Sequence, residues 1–418
     1  MSVLTVYGAP EGFDADLIAR RAAEAGTVLH IARDDARLAR LADALGFFAP
    51  DAEVVKFPAW DCLPYDRVSP NPAIMAERVA ALARLLEPAG RPRIVLTTVN
   101  AAVQRTPPRA QFRESSLAIA PGGTIAPEAL ARFLEAHGYH RVGTVMEPGD
   151  FAIRGGIVDV WPSGEMAPTR MDLFGDQVES LRQFDPGTQR SGAAVASLVF
   201  RPASEIPFDP DSVSRFRSGF REMFGADSVR DPLYEAVSDN RRQPGMEHYA
   251  PLFCAAMETI FDYVQDAAVS LDHQAEDAAR SRFEMIADHY EARKMPPRSG
   301  DLPYRPIRPE LLYLDRTSFP AILAQRQATG FSPFGKPDGA EGIEAGGRPG
   351  AILAQGPAGA SVFEEFRLLA ARWRETGRKV VLAAWSAGSR DRLAALLRDH
   401  GMRSIPIDHA GEARIARG

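Results

Sequence analysis

A chain of 418 residues with 45% hydrophobic and 25% charged residues has an ordinary globular profile, with room for about three domains that each bury a core. The formal net charge of −6 excludes a protein that coats nucleic acid by bulk electrostatics, while leaving room for a local basic patch. Two cysteines far apart in sequence, Cys62 and Cys254, exclude a disulfide framework and fit a reducing compartment.

The opening residues, MSVLTVYGAPEG, lack a basic n-region and a long apolar run, so no secretory signal is expected. No stretch reaches the ~18–20 apolar residues of a membrane span, and a cytoplasmic protein is the expectation. Apolar 4–8 predicts a strand, followed by a helix over 14–26 that Asp14 caps and Gly26 closes. A strand over 27–32, a helix over 34–46 ending in glycine, and a strand over 53–58 follow. Asn71-Pro72 opens a helix over 71–86 with proline in its first turn, and 93–99 is a fourth strand. This alternation predicts a parallel sheet covered by helices on both faces.

Near residue 115 the rhythm changes. One helix over 127–138 is followed by runs at 150–162, 169–185 and 194–202 that read as antiparallel strands, with a hairpin turn near Gly175-Asp176. Residues 115–206 therefore read as a small α+β module. Residues 207–330 return to mixed helix and strand, interrupted by a proline-rich loop over 295–309. Composition makes 331–350 a flexible linker. A last unit over 351–418 predicts helix, strand (379–384), helix and strand (404–408), and then stops. It reads as a partial small α/β domain in a fragment of a longer protein.

The first strand leads through a glycine turn into a helix, the architectural place of a phosphate-binding loop. A working loop ends in Gly-Lys-Ser/Thr: amides cradle phosphate, lysine neutralises it and the hydroxyl holds magnesium. Counted from Gly8 through Gly12, the last three places hold Phe13, Asp14 and Ala15. Asp14 puts a carboxylate where phosphate should sit, and Ala15 offers magnesium nothing. No ATP hydrolysis is expected here; a helix cap on the strand is the simpler reading. A second match, Gly330 to Pro337 with Lys336, is discounted because it falls in the linker and Pro337 replaces the hydroxyl. Residues 267–277 resemble an apolar strand ending in an acidic Walker B position at Asp272, with His273 where a catalytic glutamate belongs.

Several longer segments point one way. FPAWDCLPYDRVSPNPAIMAERVAALARLL (57–86) is similar to a stretch of bacterial transcription-repair coupling factors. Residues 138–164 and 170–191 resemble the domain 2 signature shared by those factors and UvrB. The likeness covers residues 1 to about 330 well and is fainter beyond. It implies a degenerate helicase-like, P-loop-type α/β unit made of domain 1a (1–114) and domain 1b (207–330). An α+β domain 2 (115–206) is inserted between them, and a partial domain 3 (351–418) follows the linker. UvrB keeps an intact phosphate loop and a long aromatic hairpin; here the loop is ruined and the segment from Pro64 to Pro70 is too short for a hairpin. The resemblance implies recruitment of UvrA, with no cofactor in this stretch. ATP, magnesium, RNA polymerase and DNA would engage downstream domains of the parent protein, an ATP-dependent DNA translocase. A C-terminal autoinhibitory domain of the parent would be a further partner.

Strand alternation turns Met171 and Leu173 inward and Arg170, Asp172 and Phe174 outward. Phe151 and Ile153 face in and Arg154 faces out, and a parity switch before Val158 and Val160 suggests a bulge at Gly155-Gly156. From pattern alone these are solvated charges beside a stray aromatic. The resemblance assigns Arg154, Arg170 and Phe174 to the UvrA-binding face, where an outward aromatic beside arginines is hot-spot chemistry. His137 and His140 lack a third ligand, so no metal site is expected. Two other functional classes compete. One is a serine hydrolase using Ser386 in a loose nucleophile elbow, with His400 or His409 as base. The other is a damaged-DNA binder, for which no stacking platform or basic stripe stands out.

Overall fold

A computed structural model describes residues 3–114, 116–295, 304–348, 361–384 and 386–415. Most of the predicted proline-rich loop, 296–303, and the stretch 349–360 lie outside the described residues. The first third supplies β1 (Leu4–Tyr7), β2 (Thr27–Ala32), β3 (Glu53–Phe57) and β4 (Arg93–Thr98). The near-continuous apolar runs of β2 and β4 are buried on both faces, as interior parallel strands require. Between them run α1 (Phe13–Ala25), α2 (Asp35–Phe48) and α3 (Pro72–Leu85). Gly26 ends α1 at φ 77°, its amide donating to the Ala22 carbonyl. Asp34 caps α2 by accepting from the Arg37 amide, and Asn71 caps α3 by accepting from the Ala73 amide. Two expectations are corrected. Gly12, not Asp14, is the cap of α1, with Asp14 inside the first turn. α2 continues through Gly46 to Phe48, because the Ala49 amide still closes onto the Leu45 carbonyl.

The inserted unit supplies β5 (Leu117–Ile119), β6 (His140–Arg141), β7 (Asp150–Arg154) and β8 (Ile157–Val160). β9 (Thr169–Phe174), β10 (Gln177–Phe184), β11 (Ser191–Ala194) and β12 (Leu198–Phe200) complete it. Six strands form one sheet in the order β11-β10-β9-β8-β7-β6, while β5 and β12 pair as a separate ribbon. Leu130 and Leu134 of the helix Pro127–Ala136 share a core with Phe151, Val158, Val160, Met171, Leu181 and Phe200. The bulge expected at Gly155-Gly156 is a two-residue hairpin turn instead: Arg154 pairs with Ile157, and Gly155 turns at φ 59°. Chain reversal places Phe151 opposite Val160 and Ile153 opposite Val158, so the parity switch was a change of strand. A Cβ on Gly156 would sit 2.6 Å from the Leu173 carbonyl oxygen, which excludes other residues there. Register shifts lie in β10 instead, between Val178 and Ser180 against β9 and between Arg182 and Phe184 against β11.

Residues beyond 206 add β13 (Ala268–Leu271), β14 (Thr329–Phe331) and β15 (Ile343–Glu344). They join the first four strands in one seven-stranded sheet, β15-β1-β14-β13-β2-β4-β3, in which every neighbouring pair is parallel. Two late strands thus lie between β1 and β2, and the α+β unit is an insertion. The linker expectation over 331–350 is corrected by β15, which pairs with β1, and by the Gly347 amide donating to the Gly8 carbonyl at 3.0 Å. Its glycines serve close backbone approach: a Cβ on Gly347 would lie 2.1 Å from the Gly8 oxygen. A second, aromatic core joins Trp60 and Tyr65 to Phe216, Phe220, Phe253 and Tyr313.

The last unit is corrected too. Helices Val362–Glu375 and Ala387–Asp399 form, but no strand forms at 379–384 or 404–408, and Val381, Leu382 and Ile405 are exposed. Among the described residues no neighbouring strand pairs with these segments.

Two histidines sit in these cores as neutral rings. Burial, with Arg37 nearby, pushes His30 down to about 3, and burial pushes His248 down to about 4. Below pH 6.5 the unfolded chain takes up protons that the folded chain refuses until those values. Stability is therefore expected to fall as pH drops from 6.5 toward 4. Urea midpoints across that range check this, and a flat profile contradicts it.

Candidate functional site

The carboxyl edge of the seven-stranded sheet, where a nucleotide would bind in this architecture, is closed from within. Asp14 is buried, and its Oδ1 accepts from the amides of Gly12 at 2.9 Å and Ala15 at 2.8 Å. Those are amides that would cradle a phosphate, and the carboxylate has taken its place. Arg37, buried on α2, pairs with Asp14 on one side and donates Nε to Asp272 Oδ1 at 3.2 Å on the other. Asp272 directly follows β13 and also receives Arg33 Nη1 at 3.2 Å. Arg33 and Arg40 bind Glu11 outside. Burial lifts the Asp14 carboxyl above its usual range, against the pull of Arg37.

Gly8 turns at φ 67° and donates its amide to the Phe334 carbonyl, so the segment after β14 lies across the loop. Ala15 is fully buried, and His273 meets Phe334 edge-on at 5.4 Å. The structure thus brings Asp14 and Asp272 together, although sequence spacing did not connect them. Arg37, the residue that joins them, was missed; an arginine in the first turn of an amphipathic helix carries no signal of burial. The discounted match around Lys336 does follow a strand, β14, contrary to expectation. Lys336 instead donates to the Gly342 carbonyl at 3.1 Å, and no helix begins there.

The other candidate is the outer face of the six-stranded sheet. Register places Arg154, Ile157, Asp159, Arg170, Asp172 and Phe174 on one side of β7, β8 and β9. Phe174, beside the two-residue turn Gly175-Asp176, is 75% exposed, and Ile157 is 38% exposed. Arg170 is held hard: its Nε and Nη2 reach Asp159 Oδ1 and Oδ2 at 2.7 and 2.9 Å, and Nη1 reaches the Gln189 carbonyl and Ser191 Oγ. Its guanidinium lies 4.9 Å over Phe184, and the Asp159 hydrogen bond raises its pKa. Arg154 pairs with Asp159 through Nη2 alone. Asp159 itself is fully buried. Asp172 accepts from Ser180 Oγ at 2.6 Å. Sequence reasoning named both arginines and Phe174 but missed Asp159 and Ile157. Asp159 alternates with inward Val158 and Val160, a parity that marked it as outward.

Comparison with known proteins bears on this face. Residues 117–206 match the family model of the UvrB interaction domain. The chain is 34% identical over 287 residues to the transcription-repair-coupling factor of Haemophilus influenzae, covering 68% of this chain and 24% of the relative. It is 33% identical over 240 residues to that of Escherichia coli, covering 57% and 21%. The chain is homologous to an N-terminal region of transcription-repair coupling factors. It spans about a quarter of the length of the relatives it matches. The match to the UvrB interaction domain falls on the unit that carries Arg154, Arg170 and Phe174.

The remaining candidates take structural parts in this coupling-factor homologue. Ser386 caps the helix Ala387–Asp399, accepting from the Ser389 amide, and among the described residues no strand precedes it, which corrects the elbow expectation. His400 stacks on Phe363, and His409 sits 3.5 Å from Glu412. His137 binds the Phe133 carbonyl through Nδ1 at 2.7 Å. Among the described residues no helix is long and apolar enough to cross a membrane.

Proposed function

We propose that this chain is the UvrA-recruiting part of a transcription-repair coupling factor, docking UvrA on the outer face of the inserted six-stranded sheet. The UvrB interaction domain match over 117–206 carries this reading, because that span holds the exposed Phe174 and the arginines beside it. Phe174 supplies the apolar anchor, and Arg154 and Arg170 face carboxylates on UvrA. Ile157 widens the apolar contact. The closed phosphate loop supports a chain that holds no nucleotide of its own. In the parent protein, ATP and magnesium would serve a motor outside this stretch, which translocates on DNA and releases stalled RNA polymerase. A C-terminal domain of the parent would cover the same face until needed. Co-purification of UvrA with the 418-residue chain tests the reading. Retention is expected, and retention undiminished by Arg154→Ala contradicts the assignment of this face.

A further inference from the structure

We infer that Asp159 is a positioning residue of the docking face, a single buried carboxylate that aims Arg154 and locks Arg170. The inference rests on the docking reading above. An arginine has five N–H donors. Arg170 spends four: two on Asp159, one on the Gln189 carbonyl and one on Ser191 Oγ. Its side chain is only 18% exposed and stacks over Phe184. Arg154 spends one, on Asp159, and its side chain is 50% exposed. The two arginines therefore do different work. Arg154 offers its remaining donors to a partner carboxylate, while Arg170 keeps one donor for the partner and mainly braces the face.

Asp159 serves both through one oxygen, since Arg154 Nη2 and Arg170 Nη2 converge on Oδ2 while Arg170 Nε holds Oδ1. The bidentate grip of Arg170 fixes the carboxylate plane. The fixed carboxylate in turn fixes the direction of the long, otherwise free side chain of Arg154. Ordering that side chain before the partner arrives lowers the entropy lost on binding. Charge supports the arrangement. Arg154 and Arg170 share the single Asp159 carboxylate, with Asp172 a further carboxylate acting on Arg170, so Arg154 is ordered without a carboxylate of its own.

The test is a double-mutant cycle on UvrA affinity with the intact chain, using Asp159→Asn and Arg154→Ala. Asp159→Asn is expected to weaken binding about tenfold in the parent chain and less than about twofold when Arg154 is already alanine. Equal losses in both backgrounds would overturn the positioning role, because a general loss of fold moves both alike. Undiminished binding by Asp159→Asn overturns it as well. Absence of binding by the parent chain overturns the docking reading and this inference together. Asp159→Asn can also cost stability, so the unmutated chain is probed by the NMR signal of the Arg170 Nε–H group. A resolved, slowly exchanging resonance is expected. Exchange as fast as in a free arginine overturns the lock.

Discussion

Phe174→Ala is expected to weaken UvrA binding by ~2 kcal/mol or more, about 30-fold, while leaving the chain's thermal midpoint unchanged. The separation of the two effects follows from where the ring sits. It stands 75% exposed beside a two-residue turn, packs into none of the hydrophobic cores, and so adds nothing to fold stability that alanine would lose. Apolar area of that size on an outward sheet face, the face that also carries Arg154, contributes only when a partner covers it. Calorimetric titration together with a melting curve reads both quantities. A variant that binds as tightly as the parent removes Phe174 from the interface.

Arg37→Ala is expected to destabilise the seven-stranded sheet unit by about 3–5 kcal/mol, the effect of removing one partner from a buried ion pair. Two buried carboxylates, Asp14 and Asp272, lose their shared cation, and only Arg33 remains on Asp272. Asp14 then keeps its two amide donors but no counter-charge. Its carboxyl already stands above the ordinary range through burial, and loss of Arg37 removes a pull in the other direction. The penalty is thus fully present above the raised folded-state pKa and is relieved as acid protonates Asp14. Urea unfolding should accordingly show a smaller difference between variant and parent at mildly acidic pH than at neutral pH. A pH-independent difference, or none, would contradict the plugged-loop account.

The sequence made the α/β class legible because β2 and β4 are near-continuous apolar runs and Gly26, Asp34 and Asn71 mark helix ends between the strands. It did not reveal that β13 and β14 enter between β1 and β2, since parallel pairing across more than two hundred residues leaves no local periodicity. Gly339, Gly342 and Gly346 read as a linker by composition, yet the same glycines allow β15 and the backbone after it to lie against β1 and Gly8. Gly155-Gly156 reads alike as bulge or turn until the partner of Ile157 is known. The outward face was legible at Arg170 and Phe174 because Met171 and Leu173 alternate with them. Asp159 escaped notice because a carboxylate between two valines looks like a solvated residue, and only the third dimension sets it beneath two arginines. At 379–384 the apolar run Val-Val-Leu meets the local requirements of a strand, but no described neighbour completes it.

The central claim is tested most directly by titrating purified UvrA into the intact 418-residue chain in a calorimeter. Saturable binding is predicted, with clearly weaker affinity in a folded Arg154→Ala variant. No binding by the unmutated chain would contradict the account, leaving homology to coupling factors without the recruiting role.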